Sequence, residues 1–287
     1  MLELKTINDK LLYKVMSIPT FSGKEVRMQD FLLKLANTEG YDACVDNKGN
    51  VYLTKGELPE GKFYPCITAH IDTVQTLQIP YVDKNMPLPL LTEERDDGTH
   101  IIYNKDFGLG GDDKAGIVIA LTIMDKLETC KAVFFVEEET GCRGSSECDL
   151  SWFKDVGYII AFDSPECNCA SWSCNGERLF DRAFYENYIK ELGEQFGLTK
   201  FLAHPYTDVA ILRMDTSLAC MNFGAGYYKY HTPWEYIVAE EMDHAAAMGI
   251  YLCSKLGNNE YIIPDNPYFN NEEDEDSEYF WKLFSNN

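Results

Sequence analysis

The chain has 287 residues, of which 25 are Lys or Arg and 47 are Asp or Glu, for a formal charge of −22. A surface this acidic argues against nucleic acid or an anionic membrane as partner, and it suits bound divalent cations. Hydrophobic residues at 45% and aromatics at 13% are enough for a sizeable core and exclude wholesale disorder.

The first residues lack the basic-then-apolar layout of a signal peptide, and no run of about 18 apolar residues that could span a membrane is present. Ten cysteines without a secretion signal read as reduced thiols, so a cytoplasmic protein is expected.

Amphipathic spacing predicts helices over roughly 6–17 and 24–37, divided by Pro19-Thr20-Phe21-Ser22-Gly23, with Ser22 placed to cap the second. Short strands are expected near 42–46 and 50–54, joined by Asn47-Lys48-Gly49. Phe63 to Ala69 reads as a strand leading into His70, although Pro65 weakens its start. The apolar spacing over 114–127 predicts a mostly buried helix, and 131–136 and 156–162 are buried strands. A long helix fits 181–196, Asp208 to Arg213 looks helical, Ser217 to Phe223 strand-like, and Glu240 to Leu256 helical. Strands alternating with helices indicate an α/β protein, a three-layer α/β/α sandwich with a mixed, mostly parallel sheet. The expected organisation is one catalytic domain over 1–264 and an acidic, aromatic tail over 265–287. In that tail Glu272 to Asp276 should be solvated, while Tyr279 to Phe284 should dock on the body or on a partner.

Five local motifs carry chemistry. Ala69-His70-Ile71-Asp72 places His70 and Asp72 on one side of an extended segment, so Asp72 can reach the imidazole nitrogen that does not ligate. Gly110-Gly111-Asp112-Asp113-Lys114-Ala115-Gly116 projects Asp112 from a tight turn where it could bridge two metals, and Asp113 can cap the following helix. Lacking Gly-Lys-Ser/Thr, this turn is not a phosphate loop. Glu137-Glu138-Glu139 follows an apolar strand, so Glu139 could bind metal while Glu138 takes a proton from water. Asp163 ends another buried strand, and His231 lies on a loop before the last helix. His70, Asp112, Glu139, Asp163 and His231 together form the N and O donor set that two zinc ions sharing one carboxylate require. Cobalt or manganese would fit similar donors. Among the remaining histidines, His100 and His244 read as structural, and His204, before the Thr207-Asp208 pair, is a candidate for the active site. Cys167, Cys169 and Cys174 lack a fourth partner for a structural zinc.

In this order the motifs resemble those of the co-catalytic di-zinc peptidases, tripeptidase T and its relatives above all. The run Glu138-Glu139-Thr140-Gly141-Cys142-Arg143-Gly144-Ser145 is also similar to the glutamyl-aminopeptidase branch. The resemblance spans about residues 5–257. It implies one zinc on His70, Asp112 and Asp163 and a second on Asp112, Glu139 and His231, with Glu138 as general base and Asp72 as orienting acid. It also implies a cis peptide between Asp112 and Asp113.

Members of this group carry a lid domain of roughly a hundred residues, for which neither 163–231 nor 70–112 leaves room. Substrate contacts must then come from elsewhere, with Asp208 or another acid for an N-terminal ammonium, Arg178 or Arg143 for a C-terminal carboxylate, and His204 at the site. The expected function is hydrolysis of short peptides by an aminopeptidase. The alternatives are hydrolysis of a non-peptide amide such as an N-acyl amino acid, and a lidless metal-binding protein without turnover.

Overall fold

The computed structural model describes residues 5–74, 86–204, 206–264, 279–280 and 282–283. Helix α1 (Asp9–Met16) starts at Asn8, whose side chain accepts from the Lys10 and Leu11 amides, and it buries Leu12, Val15 and Met16. Helix α2 (Val26–Glu39) does not use the expected cap. Glu25 occupies the N-cap, and Ser22 donates instead to the Asp72 carboxylate at 2.7 Å. Strands β1 (Asp42–Val45) and β2 (Val51–Lys55) form the expected hairpin at one end of the main sheet. β3 (Tyr64–His70) is buried throughout, and the register with its neighbour shifts at Pro65, which has no N–H to donate.

β4 (Leu91–Glu94) and β5 (His100–Tyr103) lie in a separate small sheet. Helix α3 (Gly111–Lys126) is buried from Gly111 to Met124 and packs on α1, on the later helix Ala239–Leu256 and on three central strands. That explains its all-round apolar composition, since each fully buried Ile, Val or Leu contributes about 1.5–3 kcal/mol. β6 (Cys130–Phe135) and the short α4 (Arg143–Ser146) follow, then β7 (Val156–Ser164), β8 (Cys169–Cys174) and β9 (Glu177–Arg178). The helix expected over 181–196 is α5 (Arg182–Phe184) and α6 (Lys190–Phe196), joined by a wider π turn at Tyr185–Ile189. β10 (Lys200–His204), α7 (Asp208–Thr216), β11 (Cys220–Gly224), β12 (Tyr227–Tyr228), β13 (Tyr236–Val238) and α8 (Ala239–Leu256) complete the chain.

Among the described residues the main sheet has nine strands in the order β1-β2-β6-β3-β7-β11-β8-β10, with β9 beside β8, and the small sheet runs β12-β13-β5-β4. The centre β6-β3-β7-β11 is parallel, whereas β1, β2 and β8 pair antiparallel with their inner neighbours. Helix α3 covers β3, β6 and β7, while α7 packs against β7, β8 and β11. This mixed, mostly parallel sheet flanked by helices is the expected α/β class. Because β3, β6 and β7 run parallel, their carboxyl ends share one edge, where such sheets place ligands.

The interval from Asp163 to His231 supplies β8, β10 and β11 to the same sheet rather than a separate layer. Of the two fates expected for the aromatic tail, Phe280 takes the first. It is fully buried, with ring centroids 5.6 Å from Trp172, 5.7 Å from Tyr185 and 5.9 Å from Phe180. The acidic run 272–276 lies outside the described residues.

Candidate metal centre

His70 closes β3 with its ring 2% exposed. Its Nδ1–H donates to the Asp72 backbone carbonyl at 2.9 Å, which leaves Nε2 facing the Asp112, Asp163 and Glu138 carboxylates. The Asp72 carboxylate also reaches Nδ1, with Oδ1 3.4 Å away, although the Asp72 carbonyl is the nearer acceptor. The same carboxylate accepts from Ser22 Oγ at 2.7 Å and from the backbone amides of Glu138 and Glu139 at 3.0 and 3.2 Å, so it sets the position of both glutamates.

Asp112 and Asp113 have non-helical backbone angles, and the peptide between them is cis, as the resemblance implies. Asp112 Oδ1 lies 3.0 Å from His70 Nε2 and Oδ2 lies 3.2 Å from His231 Nε2, so the carboxylate faces a different histidine with each oxygen. Asp113 takes its expected role, accepting from the Gly116 amide at 3.0 Å to cap α3, and it also accepts from the His70 amide at 3.3 Å. A Cβ at position 116 would sit 2.4 Å from Asp113 Oδ1, so the cap requires glycine there.

Val136 and Gly144 bracket the loop that carries Glu138 and Glu139. Asn50 binds both: its Oδ1 accepts from the Val136 amide at 3.1 Å and its Nδ2 donates to the Gly144 carbonyl at 2.9 Å. Glu139 Oε1 lies 2.9 Å from His231 Nε2. Asp163 leans on Thr207, whose hydroxyl donates to Oδ2 at 2.7 Å, so that Oδ1 is the oxygen facing His70 at 3.6 Å.

Among the described residues three groups of side chains could hold an ion with ligand atoms within 4.8 Å of one another. They are His70, Asp112 and Asp163; Asp112, Glu139 and His231; and His70, Glu138 and Glu139. The first two share Asp112, as two ions around one bridging carboxylate require. Imidazole and carboxylate donors with the second histidine nitrogen already tied off fit zinc and similar divalent ions.

The electrostatics show a site with excess negative charge. Burial, and then the nearby Asp163, Asp208 and Glu139, push the Glu138 carboxyl up to about 9, with His70 opposing. Asp112 and Glu139 push His231 up to about 10 by accepting its hydrogen bonds. Burial alone would depress His70, but Glu138, Asp112 and Asp163 raise it well above the ordinary histidine range. Burial likewise tends to raise Asp112, yet hydrogen bonds from both histidines hold it below the usual range. Protons on these groups occupy the place of positive charge that divalent cations would supply.

Several further residues position these ligands. Glu235, 3% exposed, accepts from the Gly110 and Asp112 amides at 2.5 and 3.0 Å and so anchors the bridging aspartate. The signal that could have singled it out is its place in His231-Thr232-Pro233-Trp234-Glu235. The fully buried thiol of Cys142 lies 3.3 Å from Glu138 Oε1, on the side away from His70. Thr207 and Asn50 were also missed.

A cavity of about 550 Å³ opens over this centre. Asp112, Glu138, Glu139, Asp163 and His231 line it, and so does His204 among the proposed substrate residues. Asp208 and Arg178 are not among the lining residues. Asp208 is 3% exposed at the start of α7 and accepts from Ser145 Oγ at 2.5 Å. Arg178 is 8% exposed on β9, away from the cavity lining. Arg143 is exposed on α4 and does not line it either.

No family model matches the chain, and no curated protein matches it in sequence. Solved structures match in fold. A tripeptidase from Staphylococcus aureus aligns at TM-score 0.66 and 16% identity, over 86% of this chain and 98% of the other. Aminopeptidase PepT from Bacillus cereus aligns at 0.67 and 15% identity, over 88% and 100%. A protein from Thermotoga maritima described as an endoglucanase aligns at 0.56 and 12%, over 85% and 97%. Fold alone therefore does not select the activity, which has to be argued from the side chains. The chain has the α/β fold of the tripeptidase and aminopeptidase structures, and at its sheet edge two acidic-histidine groups meet at Asp112.

Proposed function

We propose that this chain is a peptide-bond hydrolase of the aminopeptidase type that works with two divalent cations, zinc by the character of its donors and cobalt or manganese as substitutes. His70, Asp112 and Asp163 would hold one ion, and Asp112, Glu139 and His231 the other. The observation that carries this reading is the pair of ligand groups sharing Asp112, with Glu138 beside both but needed by neither. Two such ions, when bound, polarise a substrate carbonyl and lower the pKa of water.

The protein's own groups do the rest. Glu138 accepts the proton of the attacking water at its carboxylate and returns it to the leaving amine. Burial and Cys142 keep that carboxylate in a fixed orientation, a condition for efficient proton transfer. Asp72 holds both glutamate amides, and Glu235 holds Asp112. The proposed organisation is one catalytic domain over 1–264 with a tail from 265 that anchors through Phe280.

Among the described residues no helix is long and apolar enough to cross a membrane. A cytoplasmic setting is part of the proposal, supported by ten free cysteines. The test is zinc content and turnover of di- and tripeptides by the wild type and Glu138→Gln. Two zinc ions in both proteins, with turnover only in the wild type, supports the reading. Loss of zinc from Glu138→Gln would make Glu138 a ligand, and unimpaired turnover would remove it from the chemistry.

A further inference from the structure

The wall of the cavity differs in kind from its floor. Among the described residues the carboxylates lining it are Asp112, Glu138, Glu139 and Asp163, and all four belong to the centre itself. No lysine or arginine among the described residues lines it. Beyond the floor the described surface is built mainly of Leu202, Tyr206, Tyr227 and Tyr230, and besides His231 it carries the imidazole of His204.

Local geometry explains how an edge strand presents so much side chain. β10 slips its register against β8 between Leu202 and Ala203, and three consecutive residues, Leu202, Ala203 and His204, reach the cavity instead of alternating between faces. Leu202, Tyr206 and Tyr230 are 40%, 39% and 44% exposed, large apolar surfaces left open beside the reacting centre. His204 is fixed by Nδ1–H donating to the Tyr206 carbonyl at 3.0 Å.

We infer that this cavity selects substrates with an uncharged apolar or aromatic side chain next to the scissile bond, and that it reads neither an acidic side chain nor a peptide's terminal carboxylate. The inference rests on the hydrolase reading above and adds to it the substrate class. An acidic side chain would enter a space that already holds four carboxylates and, among the described residues, no lysine or arginine to receive it. A basic side chain would find each lining carboxylate already committed to the centre. Among the described residues a C-terminal carboxylate meets no lysine or arginine here, because Arg178 and Arg143 are not in the lining. Apolar contact is what the wall offers, and filling such a surface discriminates by roughly 10-fold or more between side chains.

The experiment titrates the zinc-loaded wild-type protein by calorimetry with the hydroxamates of leucine, phenylalanine, glutamate and lysine. The head group is common to all four, so differences in affinity report the side chain. Leucine and phenylalanine hydroxamates should bind at least about 10-fold more tightly than the other two. In Leu202→Lys, with zinc content unchanged, the glutamate compound should gain on the leucine compound. Equal binding of all four, or a Leu202→Lys ratio identical to the wild type, overturns the inference.

In a second arm, Leu-Gly-Gly and its C-terminal amide should be cleaved within about threefold of each other, and a loss above about 10-fold on amidation overturns the inference. The two levels separate cleanly. Selective hydroxamate binding without cleavage of any peptide sinks the hydrolase reading and keeps the selectivity. Cleavage that favours glutamyl peptides sinks the selectivity alone.

Discussion

The floor and the wall of the cavity obey different rules. On the floor, His70, Asp112, Glu139 and Asp163 stand at or just beyond the ends of parallel strands or at the start of the most buried helix, and each is held by a second group. His70 is tied by the Asp72 carbonyl, Asp112 by Glu235, Glu139 by Asp72 and Asp163 by Thr207. On the wall, Leu202 and Tyr206 lie on and just after an edge strand and Tyr230 lies on a loop, all substantially exposed. A donor set must be located to within about half an ångström to work, so it sits on rigid elements with supporting bonds. A surface that takes varied side chains tolerates loops. His231 belongs to both regions, since it faces Asp112 and Glu139 from a loop with a left-handed backbone (φ 58°).

Substitutions can break this contrast in order of severity. The largest effect is expected at Glu138, where Glu138→Gln should lower kcat by about 10²–10⁴-fold with metal content unchanged. Steady-state kinetics beside metal analysis checks this, and loss of metal would place Glu138 among the ligands. Next comes Asp72→Asn, which weakens the acceptor for two glutamate amides and Ser22. It should reduce zinc affinity by about 10–100-fold, measured by competition with a chelator. Retained affinity would mean that Asn50 alone holds the 136–144 loop.

The proton competition at the site is smaller and graded. His231 is raised to about 10 in the metal-free protein, so below that pH binding an ion displaces its proton. Zinc affinity should therefore rise with pH between about 6 and 8, by up to about 10-fold per unit for each proton released, and a flat profile would contradict the assignment of His231. The smallest effect should come from the wall. Tyr206→Ala is expected to leave zinc stoichiometry unchanged and to alter KM by less than about 10-fold. An effect on metal binding would erase the distinction between the two regions.

How much of this was legible depended on the range of the interaction. The apolar runs 131–136 and 156–162 declare buried strands locally, and the residue types in each motif point to ligands. The small sheet is not legible in the sequence beyond a structural reading of His100, because its strands β12 and β13 are two and three residues long. β8, with serines and cysteines between its apolar residues, lacked the composition of a buried strand, yet it is buried along its whole length. Ser22 was read as a local cap because the alternative partner, Asp72, is remote in sequence. Glu235 reaches Asp112 from the far side of the chain, which no periodicity reports. Asp208 looked available for a substrate ammonium, since sequence cannot show that Ser145 and the fold bury it.

Anomalous diffraction at the zinc edge from crystals of the zinc-loaded protein tests the central claim most directly. The account predicts two peaks about 3.5–4 Å apart. One should lie beside His70 and Asp163 and the other beside Glu139 and His231, with Asp112 touching both. A single peak, or two peaks with Glu138 rather than Asp112 between them, would contradict it.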